Sequence, residues 1–140
     1  MLSVVALALL VGCEAEPLTT TDVNKDKVVE EVDEEAPVIL HDPVSTTQTF
    51  GSDVAIQATV TDNDAVVYVI LHYKNEVDGS ADWEKDDMTP SGDVYSGTID
   101  GNDHRGGGVD YYIEAVDRSQ NRAYAPDGGE SDPYHFRIAE

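Results

Sequence analysis

Residues 37–140 predict an all-β fold of two packed antiparallel sheets, and three observations support it. Apolar and polar residues alternate in "VAIQATV", where Val54, Ile56, Ala58 and Val60 share one face and Ala55, Gln57 and Thr59 the other. Short runs rich in Val, Ile, Tyr and Thr are separated at close intervals by Gly, Asp, Asn and Pro, as strands are separated by turns. No stretch of helical period interrupts them, and no internal duplication is present.

The expected strands follow in chain order. "PVIL" supplies an early one and "DVAIQATVT" the first long one. "VVYVILHYK" is apolar on both sides, with Val67, Val69, Leu71 and Tyr73 in one stripe and Tyr68, Ile70 and His72 in the other, which predicts a central strand. Trp83 and Met88 in "ADWEKDDM" are expected to pack over the core from a short strand. "DVYSGTI" and "PYHFRIA" add two more. "VDYYIEAVD" sets Val109, Tyr111, Ile113 and Ala115 against Asp110, Tyr112 and Glu114. The sum is about seven strands, a count typical of a sandwich of roughly 100 residues.

The runs "APVILHDPV", "VAIQATVTDNDAV", "YVILHYK", "DVYSGTI" and "VDYYIEAVDRSQN" together resemble the immunoglobulin-like, fibronectin type III-like domains of bacterial surface and secreted proteins. The resemblance covers essentially all of residues 37–140 and implies a single immunoglobulin-like β-sandwich. It also implies that Tyr111 forms a tyrosine corner, its hydroxyl bonded to nearby backbone, with Tyr112 facing outward. In Asp117-Arg118-Ser119-Gln120-Asn121, Gln120 stands where that family often has glycine.

Ahead of this domain the chain changes character twice. Leu2 to Gly12 is uncharged and built almost wholly of Leu, Val and Ala. It is too short for the roughly 20 residues of a membrane-spanning helix and fits the apolar core of a secretory signal. Leu10-Val11-Gly12-Cys13 resembles the lipobox of bacterial lipoproteins, although the Lys or Arg that usually precedes the apolar core is missing. The resemblance implies that residues 1–12 are removed and that Cys13 becomes the lipid-bearing N-terminus, inserted in the bilayer of the cell envelope. An outer membrane or cell surface is expected in preference to an inner membrane. Residues 13–36 carry the cysteine and an acidic stretch without aromatics, which reads as a disordered spacer held extended by its own charge. Cys13 is the only cysteine, so the domain is expected to be held by its core and not by a disulfide.

The chain has 29 acidic and 8 basic residues, a formal charge of −21. That balance argues against nucleic acid, whose binding rests on Lys and Arg neutralising phosphates, and against a polybasic membrane contact. It suits divalent cations, a basic protein partner, or a salt-rich environment.

Candidate sites are few. Asp62 and Asp64 follow one strand, Asp117 and Asn121 follow another, and in a sandwich these loops share an end; they are candidate calcium ligands, since calcium takes six to eight oxygens. The competing reading is that such residues cap their own turns. "DGNDHRGGG", residues 100–108, lacks the Lys-Ser or Lys-Thr of a phosphate loop and leads into a strand; it reads as a connection, with Asp100, Asp103 and His104 at the opposite end from the first cluster. His41, His72, His104 and His135 have no metal-ligand spacing, and His72 reads as a surface residue. Tyr68 and Tyr112, with Tyr124, are candidates for an exposed recognition patch. No nucleophile elbow is present. The expectation is therefore a non-enzymatic envelope lipoprotein that presents its sandwich to a protein or glycan, without a cofactor. The alternatives are a calcium-responsive adhesion module and, third, an envelope hydrolase, which would need a deep pocket with converging acid and base groups.

Overall fold

The computed structural model describes residues 31–76, 82–102 and 106–139. A compact unit runs from Asp33 to Glu140 and so begins inside the stretch expected to be spacer. Cys13 and the apolar run before it lie outside the described residues, as do Asp103 and His104.

The unit is all-β, with two sheets in a sandwich-like arrangement. Its strands are β1 (Val38–Leu40), β2 (Gln48–Thr49), β3 (Val54–Thr61), β4 (Val66–Asn75), β5 (Glu84–Asp87), β6 (Thr89–Ser91), β7 (Val94–Ile99), β8 (Gly107–Asp117), β9 (Arg122–Ala125) and β10 (Tyr134–Ala139). One sheet has the order β1-β3-β7-β6, and the other β2-β10-β8-β4-β5, with β9 also paired to β8. The pairings are antiparallel except β2 with β10. Beyond the expected strands, β2, β6 and β9 are additional. They are two to four residues long, too short for an alternation to register in the sequence.

The core forms where the two inner faces meet. Val54, Ile56, Ala58 and Val60 of β3 are buried as their alternation predicts, with the residues between them facing out or half-buried. They meet Val69, Leu71 and Tyr73 of β4 and Val109, Tyr111, Ile113 and Ala115 of β8. Gly97 of β7 sets the local spacing: a Cβ there would lie 3.2 Å from Leu71 Cδ2 and Met88 Cγ, so the sheets approach closely because that side chain is absent.

Three expectations about faces require correction. Val67 leaves the inner stripe of β4 and is exposed, because a register shift between Val66 and Tyr68 turns one residue out of sequence. Met88 enters the core, but Trp83 packs against Tyr112 on the outside of the β8 sheet. The third concerns that outer side itself. His72, Tyr112 and Glu114 lie there yet are only 3%, 7% and 7% exposed. They are covered by Trp83, by β9 and by a single 3₁₀ turn, Gly129–Ser131, that packs on β8.

Candidate functional site

The β3–β4 turn and the β8–β9 turn lie together at one end of the sandwich, and the segment preceding β1 crosses the same place. Asp62, Asp117 and Asp33, one from each, bring carboxylate oxygens within 4.8 Å of one another. Two oxygens on a single calcium ion are at most about 5 Å apart, given ligand distances of 2.3–2.6 Å, so the group fits one such cation.

The hydrogen bonds orient these carboxylates. Asp33 Oδ1 accepts from Asn63 Nδ2 at 2.9 Å and from the Glu35 amide at 3.1 Å. Asp62 Oδ1 accepts the Asp64 amide at 2.9 Å, closing its own turn. Each residue thus keeps its Oδ2, and both of those atoms are buried without a hydrogen-bond partner. A buried acceptor without a partner carries a desolvation cost, and like charges at this spacing disfavour one another; a divalent cation removes both penalties. The bonds from Asn63 and the Glu35 amide also hold the Asp33 pKa below the ordinary carboxylate value, keeping it charged.

Asp117 is fully buried. Its Oδ1 accepts the Asn121 amide at 2.8 Å and its Oδ2 accepts Asn121 Nδ2 at 2.7 Å. The same Nδ2 also reaches the carbonyls of Asp33 at 3.0 Å and Glu35 at 2.9 Å. An amide nitrogen has two hydrogens for these three oxygens, which shows how rich in oxygen the place is. Gln120 reaches the turn with φ at 76°, the conformation for which glycine would be the usual choice.

Of the four residues expected to bind calcium, Asp62 and Asp117 converge, with Asn121 beside them. Asp64 does not join them, because its carboxylate turns to Arg118 at 3.2 Å. Asp33 takes its place. It stands in a run of acids that offers no periodicity or spacing to single it out, so local sequence carries no signal for it.

Tyr111 forms a junction of a different kind from the expected corner. His41 Nδ1 lies 2.6 Å from the Gln57 carbonyl and so carries the proton; the bare Nε2 then accepts the Tyr111 hydroxyl at 2.9 Å. The Tyr111 oxygen in turn accepts the Val44 amide at 2.9 Å. Its backbone partner is thus 67 positions upstream, not in its own corner. Burial raises the hydroxyl pKa to about 12.

On the outer face of the β8 sheet, Tyr112 stacks on His72 with centroids 4.3 Å apart, meets Trp83 edge-on at 4.8 Å and tilts against Tyr124 at 6.2 Å. Tyr112 therefore points away from the core, as expected, but is covered. Tyr124, 36% exposed, is the open member of the group, while Tyr68 sits further along β4 opposite Val116 and is half-buried. His72, contrary to its reading as a surface residue, pairs through Nε2 with Glu114 Oε2 at 2.9 Å, and Glu114 Oε1 accepts from Arg122. Burial lowers the His72 pKa, against the opposing pull of Glu114.

At the other end of β8, His135 Nδ1 lies 2.9 Å from Asp110 Oδ1 and 3.8 Å from Glu76 Oε1, a grouping that strand pairing creates and linear spacing conceals. Asp100 Oδ1 accepts from Asn102, as a turn residue does. No protein-family model matches the chain, and no curated protein matches it, so its functional reading rests on this geometry and on the residues themselves.

Proposed function

We propose that the chain is a non-enzymatic lipoprotein of the cell envelope, held in the bilayer by acylated Cys13 and presenting one immunoglobulin-like, fibronectin type III-like domain for binding or structural work. The observation that carries the domain assignment is strand order. Naming β1, β3, β7 and β6 as A, B, E and D reproduces one immunoglobulin sheet, and β10, β8, β4 and β5 follow as G, F, C and an added C′. The anchor is supported by the apolar run that ends at Cys13 and by the acidic stretch that follows it. Two or more acyl chains hold a protein far more firmly than one, and a formal charge of −21 would repel an anionic bilayer. Replacing Cys13 by Ser is expected to move the protein from the membrane fraction to the soluble fraction, and the mass of the mature wild-type N-terminus should include acyl chains. A mature protein without acyl chains would defeat the anchor.

A second reading is favoured by the meeting of Asp33, Asp62 and Asp117 with two unpartnered carboxylate oxygens. In it the domain is calcium-responsive, the ion fastening the incoming segment at Asp33 to the turns after β3 and β8. Titration of the full-length protein with calcium, followed by melting temperature, tests it. The expected result is a saturable rise that Asp62→Asn abolishes, and no rise at millimolar calcium would dismiss the reading.

A further inference from the structure

Tyr112, Tyr124 and the turn Gly128–Ser131 line a cleft of about 280 Å³ on the outer face of the β8 sheet, which shares no lining residue with the clustered aspartates. Tyr124 lines it with an exposed ring, Tyr112 with the small part of its ring left uncovered, and Glu130 is among the lining residues. The turn sits close on one ring because Gly129 has no side chain: a Cβ there would lie 3.3 Å from Tyr124 Cδ1. Glu130 Oε1 accepts the Trp83 indole N–H at 2.9 Å, and among the described residues no ion pair offsets its charge. The neighbouring Glu114 is already shared between His72 and Arg122, so Glu130 sets the local sign. The Tyr112 hydroxyl responds to this field: its pKa is raised by burial first and then by Glu130 and Glu114.

The molecule itself shows what such a surface accepts. Lys74 extends its ammonium over the Trp83 ring, 4.5 Å from the centroid, and the Trp83 ring packs edge-on against Tyr112. One part of the aromatic cluster thus already holds a cation, while Tyr124 remains open to solvent. An aromatic face beside a carboxylate attracts an ammonium through the ring quadrupole and through charge. The formal charge of −21 draws cations toward the surface generally.

We propose that the cleft beside Tyr112 and Tyr124, lined also by Glu130, binds an alkylammonium group, namely a lysine side chain presented by a partner polypeptide. The four methylenes of the stem lie along the exposed Tyr124 ring, over the edge of Tyr112, and the ammonium meets Glu130. This assignment depends neither on the lipid anchor nor on the cation site at Asp62.

The test uses the purified full-length protein and three probes: Nα-acetyl-lysine amide, the uncharged Nα-acetyl-norleucine amide of similar stem, and methyl glucoside. Trp83 is the only tryptophan in the chain, so its indole N–H resonance reports this site without ambiguity. A saturable shift of that resonance is expected with the lysine probe and not with the other two. Tyr124→Leu, which keeps apolar bulk and removes the ring, should weaken binding about fivefold to tenfold. Glu130→Gln, which can still accept the indole N–H, should weaken it by a similar factor, and Asp62→Asn should leave it unchanged. Equal shifts with the lysine and norleucine probes, preferential binding of the glucoside, absence of saturation with lysine, or indifference to both cleft variants would each overturn the proposal.

Discussion

Tyr111 ties three parts of the chain through one oxygen. Its ring fills the core, and its hydroxyl links Val44 and His41, the latter bonded in turn to Gln57 of β3. Tyr111→Phe keeps the ring and removes the oxygen, leaving the partly buried Val44 amide without its acceptor. The expected loss is about 1–3 kcal/mol, measured by denaturant unfolding with an unchanged m-value; a variant as stable as wild type would show that water replaces the bond. Gln120 illustrates the opposite case. A left-handed backbone costs an L-residue about 1–2 kcal/mol, and glycine's extra freedom in the unfolded chain returns roughly 0.5–1 kcal/mol of that difference. Gln120→Gly is therefore expected to stabilise the domain by about 0.5–1 kcal/mol, and a lower melting temperature would contradict it. Only the resemblance to immunoglobulin-like domains, and no pattern in the residues themselves, singles out this position in the sequence, whereas the role of His41 as Tyr111's acceptor depends on a pairing across 70 positions.

Among the elements, β8 is the most informative, since it is buried on both faces. Its inner residues were legible from alternation alone. Its outer residues were not, because the same alternation marks Tyr112 and Glu114 as outward, and burial depends on Trp83, β9 and the Gly129–Ser131 turn arriving from elsewhere in the chain. His72 lies under the same cover, and its depressed pKa has a consequence for stability. The unfolded chain takes up a proton on this imidazole below about pH 6.5, whereas the folded form resists protonation until lower pH. The unfolded state then binds more protons in that window, so stability falls as pH drops through it. His72→Gln is expected to reduce the slope of stability against pH between neutrality and mildly acid conditions. Identical slopes for variant and wild type would show that His72 is not responsible. β4 teaches a related lesson: its alternation is correct from Val69 onward and fails at Val67, where the ladder shifts register.

For the whole molecule, the dominant physical fact is an excess of negative charge, 29 acidic against 8 basic residues. The Asp33, Asp62 and Asp117 cluster concentrates that excess where two oxygens are also denied hydrogen bonds. Without calcium, Asp62→Asn removes one of the mutually repelling charges while its amide oxygen still accepts the Asp64 amide, so the variant should be as stable as wild type or more so. With calcium at a hundred times its dissociation constant, wild type should gain about 2.7 kcal/mol, and the order of the two proteins should reverse. The corresponding rise in melting temperature is on the order of 10 °C for a domain of this size. A variant less stable than wild type in the presence of a chelator would mean that the carboxylate, and not a cation, stabilises this end.

The sequence by itself determined the β architecture and the inner faces of β3 and β8, since period-two alternation and turn chemistry are local properties. It also set out the apolar run ending at Cys13 and the acidic composition, on which the anchor proposal and the expectation of no nucleic-acid partner rest. Only the tertiary structure decided which carboxylate completes the cluster, that Asp64 turns to Arg118 while Asp33 turns inward, that His72 and Tyr112 are covered, and that Tyr124 and Glu130 share a cleft. Each of those facts joins residues distant in the chain through strand pairing or a crossing segment. A local pattern records the face on which a side chain emerges, and carries no trace of what comes to lie against it.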